Sequence, residues 1–519
     1  MPILTKKRFF STIQTIQQFM TMLTKINEAI IRFTVISFLF FFSGSAVSGQ
    51  ADTLHVDLSQ VIALAIDRAP DVQIAKTALS NNFWRYQSFL ADYRPQIDLT
   101  ATFPNFNRSI EPITLPDGTD KFVNRSLMSN SVGLSLQQGI TLTGGRIFAN
   151  TGLQRIDIFS TTGGDNTFSY LSTPINIGFI QPIFGFNDLK WDKRIQPVVY
   201  DEAKRGYSED MEEVAFQAAQ FFFQVLNAQL NLEAALRDKA NADTLYVISK
   251  GRYEVGRIAE TELMQIELRV MNADADIARS YLNLQTNTER LRNFLGITEA
   301  VDFQLTPPYE MPAFNIDTEQ ALGYALRYRS EKITFQRRLL EAERSVAQAK
   351  ANSGPNIDLS INFGLSQTGG SLSNAYAEPL DNERVRLGLT MPIADWGKSK
   401  ARLEISKSQQ SLTQLQVSQE QVNFEREIII KVQQFDLLRT QVRLSLRTYE
   451  VAEKRLDISR KRYRIGKIGV TDLNIAISEE STARRGYIAS LQEFWLAYFE
   501  LRRLTLFDFE RNQPLIREN

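Results

Sequence analysis

Two periodicities alternate along the chain, and the alternation occurs twice. From Ile357 to Leu365 every second residue is apolar, with Asp358, Ser360, Asn362 and Gly364 between. Val385, Leu387, Leu389 and Met391 alternate in the same way with Arg384, Arg386, Gly388 and Thr390. The first half shows Ile97, Leu99, Ala101 and Phe103, then Ile175, Ile177 and Phe179. Successive side chains of a strand point to opposite faces, so this pattern predicts strands with one apolar and one wet face. A sandwich and a transmembrane β-barrel both fit it. Elsewhere the period lengthens. Phe424, Ile428, Val432, Phe435, Leu438, Val442, Leu446, Tyr449, Ala452 and Leu456 step by threes and fours, a helical stripe close to coiled-coil spacing. Proline is absent from 198 to 306 and from 393 to 513. Two very long helical hairpins are predicted, turning at Gly256 and Gly466; a helix from about 400 to 461 would be roughly 90 Å long. Residues 57–93 and 317–350 read as further helices, capped by Asp57 and Asp317 and stopped by Pro95 and Pro355.

The two rounds are copies. Ala91–Thr100 returns as Ala351–Ser360, Gln181-Pro182-Ile183 as Met391-Pro392-Ile393, and Arg252–Ile258 as Arg462–Ile468. Pro95 and Pro355 lie 260 residues apart, but Pro182 and Pro392, and Gly256 and Gly466, lie 210 apart, so the first copy carries 50 extra residues between Pro95 and Pro182. Such a duplication argues for one body of two similar halves. Within the excess, Val132, Leu134, Leu136, Ile140 and Leu142 lead to Gly144-Gly145, a hairpin-type turn. This reads as an added hairpin flanked by polar loops at 105–130 and 155–170. An extracellular position follows from its place between two membrane strands; the alternative is that it adds strands to the membrane sheet itself.

The N-terminus has the order of a secretory signal. Lys25 and Arg32 precede an apolar run from Phe33 to Phe42, and small residues follow to Gln50. The competing reading is a membrane anchor, but ten apolar residues are too few to cross ~30 Å of hydrocarbon as a helix. Met20 or Met22 is a candidate start. The organisation is then a signal peptide at 1–50 and a first repeat at 51–296, with strands 96–106 and 173–182, a long inserted loop 107–172 and a helical hairpin 187–296. A linker at 297–316 leads to a second repeat at 317–507, with strands 356–366 and 384–392 and a hairpin 396–507, and a tail at 508–519.

Composition removes most enzyme chemistry. The chain has no Cys and a single His, His55, so disulfides, thiolate ligands and histidine triads have no residues to be built from. Beyond residue 50 there are 54 basic and 58 acidic residues, which gives nucleic acid no basic face. Gly397-Lys398-Ser399 resembles the end of a phosphate loop, but Pro392 stands where that motif needs Gly. No cofactor or metal is expected. Arg252, Arg257, Lys461, Arg462, Arg464 and Lys467 make the hairpin tips basic, either as solvated surface or as a docking site. Glu262 and Asp472 lie six residues after each tip Gly, either as partners of a helix dipole or as members of an acid ring that acts on ions.

A signal, then helix, strand, strand and long hairpin, twice, with Arg-Tyr-x-x-Gly at each tip, resembles the TolC-like outer-membrane efflux protein family across residues 55–507. The resemblance extends to a branch with an enlarged first strand–loop–strand unit and a strand end of the type seen at 181–187. It implies a mixed α/β membrane protein, an internally duplicated trimer. Each protomer would give four strands to one outer-membrane β-barrel, continued by a long periplasmic α-helical barrel. Function would be that of a passive exit duct in a tripartite efflux or type I secretion system. The implied partners are two further copies, a periplasmic adaptor (membrane-fusion) protein, an inner-membrane pump of the resistance-nodulation-division or ABC type, and outer-membrane lipid. The resemblance assigns Tyr253, Gly256, Arg257, Ile258, Tyr463, Gly466, Lys467 and Ile468 to adaptor docking, and Glu262, Asp472 and Ile475 to the pore constriction. Ile475 stands where some members have a second acid, and Ile468 where some have a gating Arg. The alternative from another class is a secreted coiled-coil scaffold or adhesin without a pore.

Overall fold

The computed structural model describes residues 53–159, 165–299, 301–312 and 314–517; the export segment at 1–50 lies outside them. The chain divides into two compact units. The described part of the smaller is Thr53, Leu54, Val301 and Asp302; the larger, His55–Glu299 with Phe303–Asn519, holds the architecture that follows. After a short strand β1 (Thr53–Val56), α1 (Leu58–Arg68) starts from an Asp57–Gln60 capping box, and α2 (Pro70–Asp92) starts at Pro70. The single helix expected at 57–93 is therefore two. Pro70 has no N–H to continue α1 and holds Ala69 extended, at ψ 138°.

Strands β2 (Gln96–Thr102), β3 (Phe106–Thr114), β4 (Asp120–Gly139), β5 (Arg146–Phe159) and β6 (Thr167–Pro182) come next. Two long helices, α3 (Asp188–Glu254) and α4 (Glu260–Phe294), complete the first copy. After β7 (Asp302–Leu305), the second copy has α5 (Thr318–Tyr328) and α6 (Glu331–Asn352), again two helices where 317–350 predicted one. It continues with β8 (Asn356–Gly369), the short α7 (Asn374–Ala377), β9 (Leu380–Thr390), α8 (Lys398–Arg464) and α9 (Val470–Thr505).

The sheet corrects the expectation of four strands and a loop at 107–172. Six strands form one antiparallel path, β2–β4–β5–β6–β8–β9, and β3 pairs only with β4. The expected outward hairpin is likewise overturned. β2 leaves the helical end at Gln96, and β4 returns alongside it, pairing Leu134 with Leu99 and Gln137 with Gln96. The β4–β5 turn thus lies at the helical end. There Asn187 Nδ2 donates to Thr141 O at 2.9 Å, and Gln181 Nε2 donates to Thr143 O at 3.0 Å. Those bonds satisfy turn carbonyls that no ladder partner reaches. The polar flank expected at 105–130 instead forms a β3–β4 extension at the far end, which turns at Leu115–Thr119.

Register aligns a row of apolar residues on one face across all six strands. Reading across, Leu99 meets Leu134, Leu136 meets Ala149, Ala149 meets Ile177, Ile177 meets Phe363, and Ile361 meets Val385. The opposite face carries Asp98, Ser135, Asn150 and Asn176 in one row, and Asn362 beside Arg384 in the next. The added strand β5 is fitted to β6 by shape: Phe148 lies directly opposite Gly178, where a Cβ would collide with the ring.

The helical layer is equally strip-like. α3 packs against α4 and α9, and α9 packs against α8, giving the order α4–α3–α9–α8. α3 and α8 have 67 residues each, roughly 100 Å at 1.5 Å per residue. All ten residues of the stripe from Phe424 to Leu456 are buried or half-buried, so that stripe is the packing face. Near the end of α9 a buried ionic group ties the copies together. Arg502 pairs with Glu212 of α3 at 3.1 Å and with Asp508 at 3.5 Å, and Tyr498 Oη donates to Asp508 at 2.9 Å. Burial pushes the Glu212 carboxyl above its usual range, and the Arg502 charge opposes that shift. Removing the guanidinium leaves a buried carboxylate without its partner. Arg502→Ala should lower stability by about 3–5 kcal/mol, while joint Glu212→Leu and Arg502→Met should recover part of the loss. Thermal unfolding followed by circular dichroism would measure both, and an Arg502→Ala melt equal to wild type would show that the network contributes nothing.

Candidate functional site

The two hairpin tips are built to one plan. Gly256 donates to Tyr253 O at 2.8 Å and Arg257 to Arg252 O at 2.8 Å; Gly466 donates to Tyr463 O and Lys467 to Arg462 O, both at 2.9 Å. This pair of bonds closes a helix C-terminus through a residue in the left-handed region, where Gly256 has φ 71° and Gly466 φ 72°. Gly256, Arg257, Gly466 and Lys467 are exposed, and Ile258 and Ile468 are half-buried.

The copies part company at the tyrosines. Tyr253 is 40% exposed, but Tyr463 is 3% exposed. Tyr463 sits in an apolar cluster with Leu245 and Ile266 of the first hairpin and Leu456, Leu473, Ala476 and Ile477 of the second, with Ile468 packed against it. The Arg252 guanidinium lies 5.1 Å from the Tyr463 ring centre, a cation–π contact between hairpins. Tyr463 is thus part of the seam that joins the hairpins within one chain.

Glu262 and Asp472 each occupy the third position of their helix, after Ala259 and Gly469, neither of which caps with a side chain. Both carboxylates are exposed, and among the described residues no side-chain hydrogen bond or ion pair engages either one. They are fixed negative charges next to the positive end of a helix dipole. Asp472, Ile468 and the half-exposed Ile475 line one groove with Lys454, Arg455 and Arg462. The structure therefore brings these three residues together beside the motif's own Arg462, and adds Lys454 and Arg455, which the motif alone did not single out.

A second stripe on α8 was missed. Ile430, Leu437, Leu444, Val451, Ile458 and Ile465 recur every seventh residue and are 48–68% exposed. Met264, Leu268, Met271 and Leu282 form a comparable exposed row on α4. Strict heptad spacing is the signal that reveals such a seam, and seven-residue seams are made for a partner helix. α4 and α8 are the two outer helices of the layer.

An open sheet with one apolar face, continued by a strip of helical hairpins, has known counterparts. The family model described as "Outer membrane efflux protein" matches residues 61–297 and 335–505. The chain belongs to the outer membrane efflux protein family. Its fold is also that of solved outer-membrane channels. The Campylobacter jejuni CmeC channel is similar with a TM-score of 0.63 at 16% identity, over 86% of this chain and 85% of that one. OprN gives 0.62 at 16% identity, over 87% and 90%. The open-state Neisseria gonorrhoeae MtrE channel gives 0.57 at 14% identity, over 86% and 88%. No curated protein sequence is significantly similar.

The family sets the location and activity: an efflux channel in the outer membrane of a Gram-negative cell, with its helices in the periplasm. The apolar sheet face is then the lipid face, and among the described residues no helix is long and apolar enough to cross a membrane. Leu142, Ile393 and Trp396 are 88–99% exposed at the periplasmic rim of the sheet, the level where aromatic and apolar anchors meet the bilayer surface. The scaffold or adhesin alternative finds no support.

At the tips, Gly256 and Gly466 have open space where a Cβ would point, so only backbone strain opposes a side chain. Gly256→Ala and Gly466→Ala should each cost about 1 kcal/mol locally. Hydrogen exchange of the amides after the turn, Arg257 and Lys467, should speed about fivefold while the mid-helix amides keep their rates; unchanged tip rates would count against strain-free glycine as the reason for these turns.

Proposed function

We propose that three copies of this chain form a passive exit duct, which an inner-membrane pump feeds through a periplasmic adaptor at the hairpin tips. The observation that carries the reading is that each layer of one chain is an open strip. The sheet ends in unpaired edges at β2 and β9, and the helical layer ends in exposed apolar seams on α4 and α8. An open sheet edge in hydrocarbon leaves backbone groups unbonded, at several kcal/mol each. Both strips close at once if α8 of one copy packs on α4 of the next and β9 pairs with β2. Repeat symmetry then sets Arg462 over Tyr253 of the next copy, matching the Arg252–Tyr463 contact within the chain.

In this reading Tyr253, Gly256, Arg257, Ile258, Gly466, Lys467 and Ile468 form the adaptor-facing surface, with Tyr463 bracing it from within. Asp472 and Glu262 ring the inner mouth, where converging carboxylates attract cations. Ile475 keeps the next turn of that mouth apolar. Energy comes from the pump, of the resistance-nodulation-division or ABC type, and the duct supplies only a path.

Recording from the full chain in planar bilayers tests the mouth. Asp472→Asn should weaken block by divalent cations about tenfold or more on the periplasmic side. Block that stays at the wild-type concentration would remove Asp472 from the constriction. Failure of the wild type to conduct at all would remove the duct itself.

A further inference from the structure

The 50-residue excess of the first copy enlarges the membrane pore. We propose that it gives each protomer six membrane strands, so that three copies close an eighteen-strand barrel. The inference rests on the trimeric reading above.

Three observations carry it. First, β4 and β5 lie inside the sheet path, between β2 and β6; removing them from the membrane would break the ladders on both of their sides. Second, their outward residues continue the lipid row. Leu134 and Leu136 stand beside Leu99 and Ile97, and Ile147 and Ala149 stand beside Phe179 and Ile177. A hairpin held in water above the barrel would gain nothing from an apolar face in register with the lipid band. Third, their opposite face carries the polar or small residues Ser135, Gln137, Asn150 and Gly152 around one ring, Phe148, as the wall of a water-filled lumen can. The Phe148–Gly178 pair on that face shows β5 shaped to β6.

Barrel diameter grows roughly in proportion to strand number. Eighteen strands give a lumen about one and a half times as wide as the twelve that four strands per protomer would make. The helical layer still contributes only four long helices per chain. The membrane section is therefore wider than the tunnel that feeds it, and it offers bulky hydrated solutes no narrow passage at the outer membrane.

Electron cryomicroscopy of the full wild-type chain in lipid nanodiscs would count the strands. Eighteen around a threefold axis is the expected result. A threefold barrel of twelve, with residues 120–159 folded elsewhere, would overturn this inference and leave the duct standing. An assembly without threefold symmetry would defeat the trimeric reading, and the eighteen-strand barrel with it. Fluorophores provide a second check, because the chain has no cysteine of its own. Single labels at Leu134→Cys and Ala149→Cys should be quenched by brominated lipid as strongly as one at Ile361→Cys. Quenching as weak as at Thr119→Cys, in the β3–β4 turn, would place the added strands outside the bilayer.

Discussion

Hydrocarbon gives a backbone N–H or C=O nothing to bond to, and that single fact organises this molecule. A helix meets the requirement within itself; a strand meets it only through neighbours on both sides. The six-strand path satisfies every internal ladder but leaves β2 and β9 each with one bare edge. One copy of the chain is therefore incomplete as a membrane object, whatever its internal packing. The wall becomes legal in lipid only when the bare edges meet each other in a closed ring.

The helical layer faces a softer version of the same problem. Its backbone is bonded internally, so nothing forbids an isolated strip in the periplasm. What remains open is apolar surface: the heptad row from Ile430 to Ile465 on α8 and the row from Met264 to Leu282 on α4. Because α8 continues from β9, the bare sheet edge and one bare seam share a side of the chain. Closing one layer brings the other to its partner. The duplication then has a mechanical reading. In the trimer proposed above, the contact between hairpins within a chain, centred on Tyr463 and Arg252, would serve as a template for the contact between chains.

Much of this was legible in the sequence because it is periodic. The alternation from Ile357 to Leu365 named β8, and the buried stripe from Phe424 to Leu456 named the packing face of α8. The insert misled for a physical reason. Val132, Leu134 and Leu136 carry the same signal as the other membrane strands, but alternation does not say where a turn lies along the membrane normal. That came only with register, when Gln137 proved to stand opposite Gln96, the first residue of β2. Likewise, the repeat made Tyr253 and Tyr463 look equivalent. They differ because Tyr463 is buried in the seam between the two hairpins of its chain and Tyr253 stays exposed. The exposed heptad on α8 was visible but lay next to a stronger stripe on the same helix. Nor could the motif show Lys454 and Arg455 beside Asp472, which come from α8, a helix antiparallel to its own.

The distribution of constraint along the axis indicates where such a channel is controlled. Its sheet is held by continuous ladders, and its middle by buried aromatic rings such as Phe435, Phe494 and Tyr498 together with the Glu212–Arg502–Asp508 network. Neither region has slack. The tips are different. Each is a single left-handed glycine turn with exposed flanks and open space around it, braced mainly by the small cluster at Tyr463. Local opening draws on the regions with fewest buried contacts. In the wide, rigid-walled duct proposed above, closure would fall where the packing is thinnest, at the tips. That is also where the exposed carboxylates of Glu262 and Asp472 and the half-exposed Ile475 stand, so the mouth proposed above would place gate and filter on the same few turns of helix.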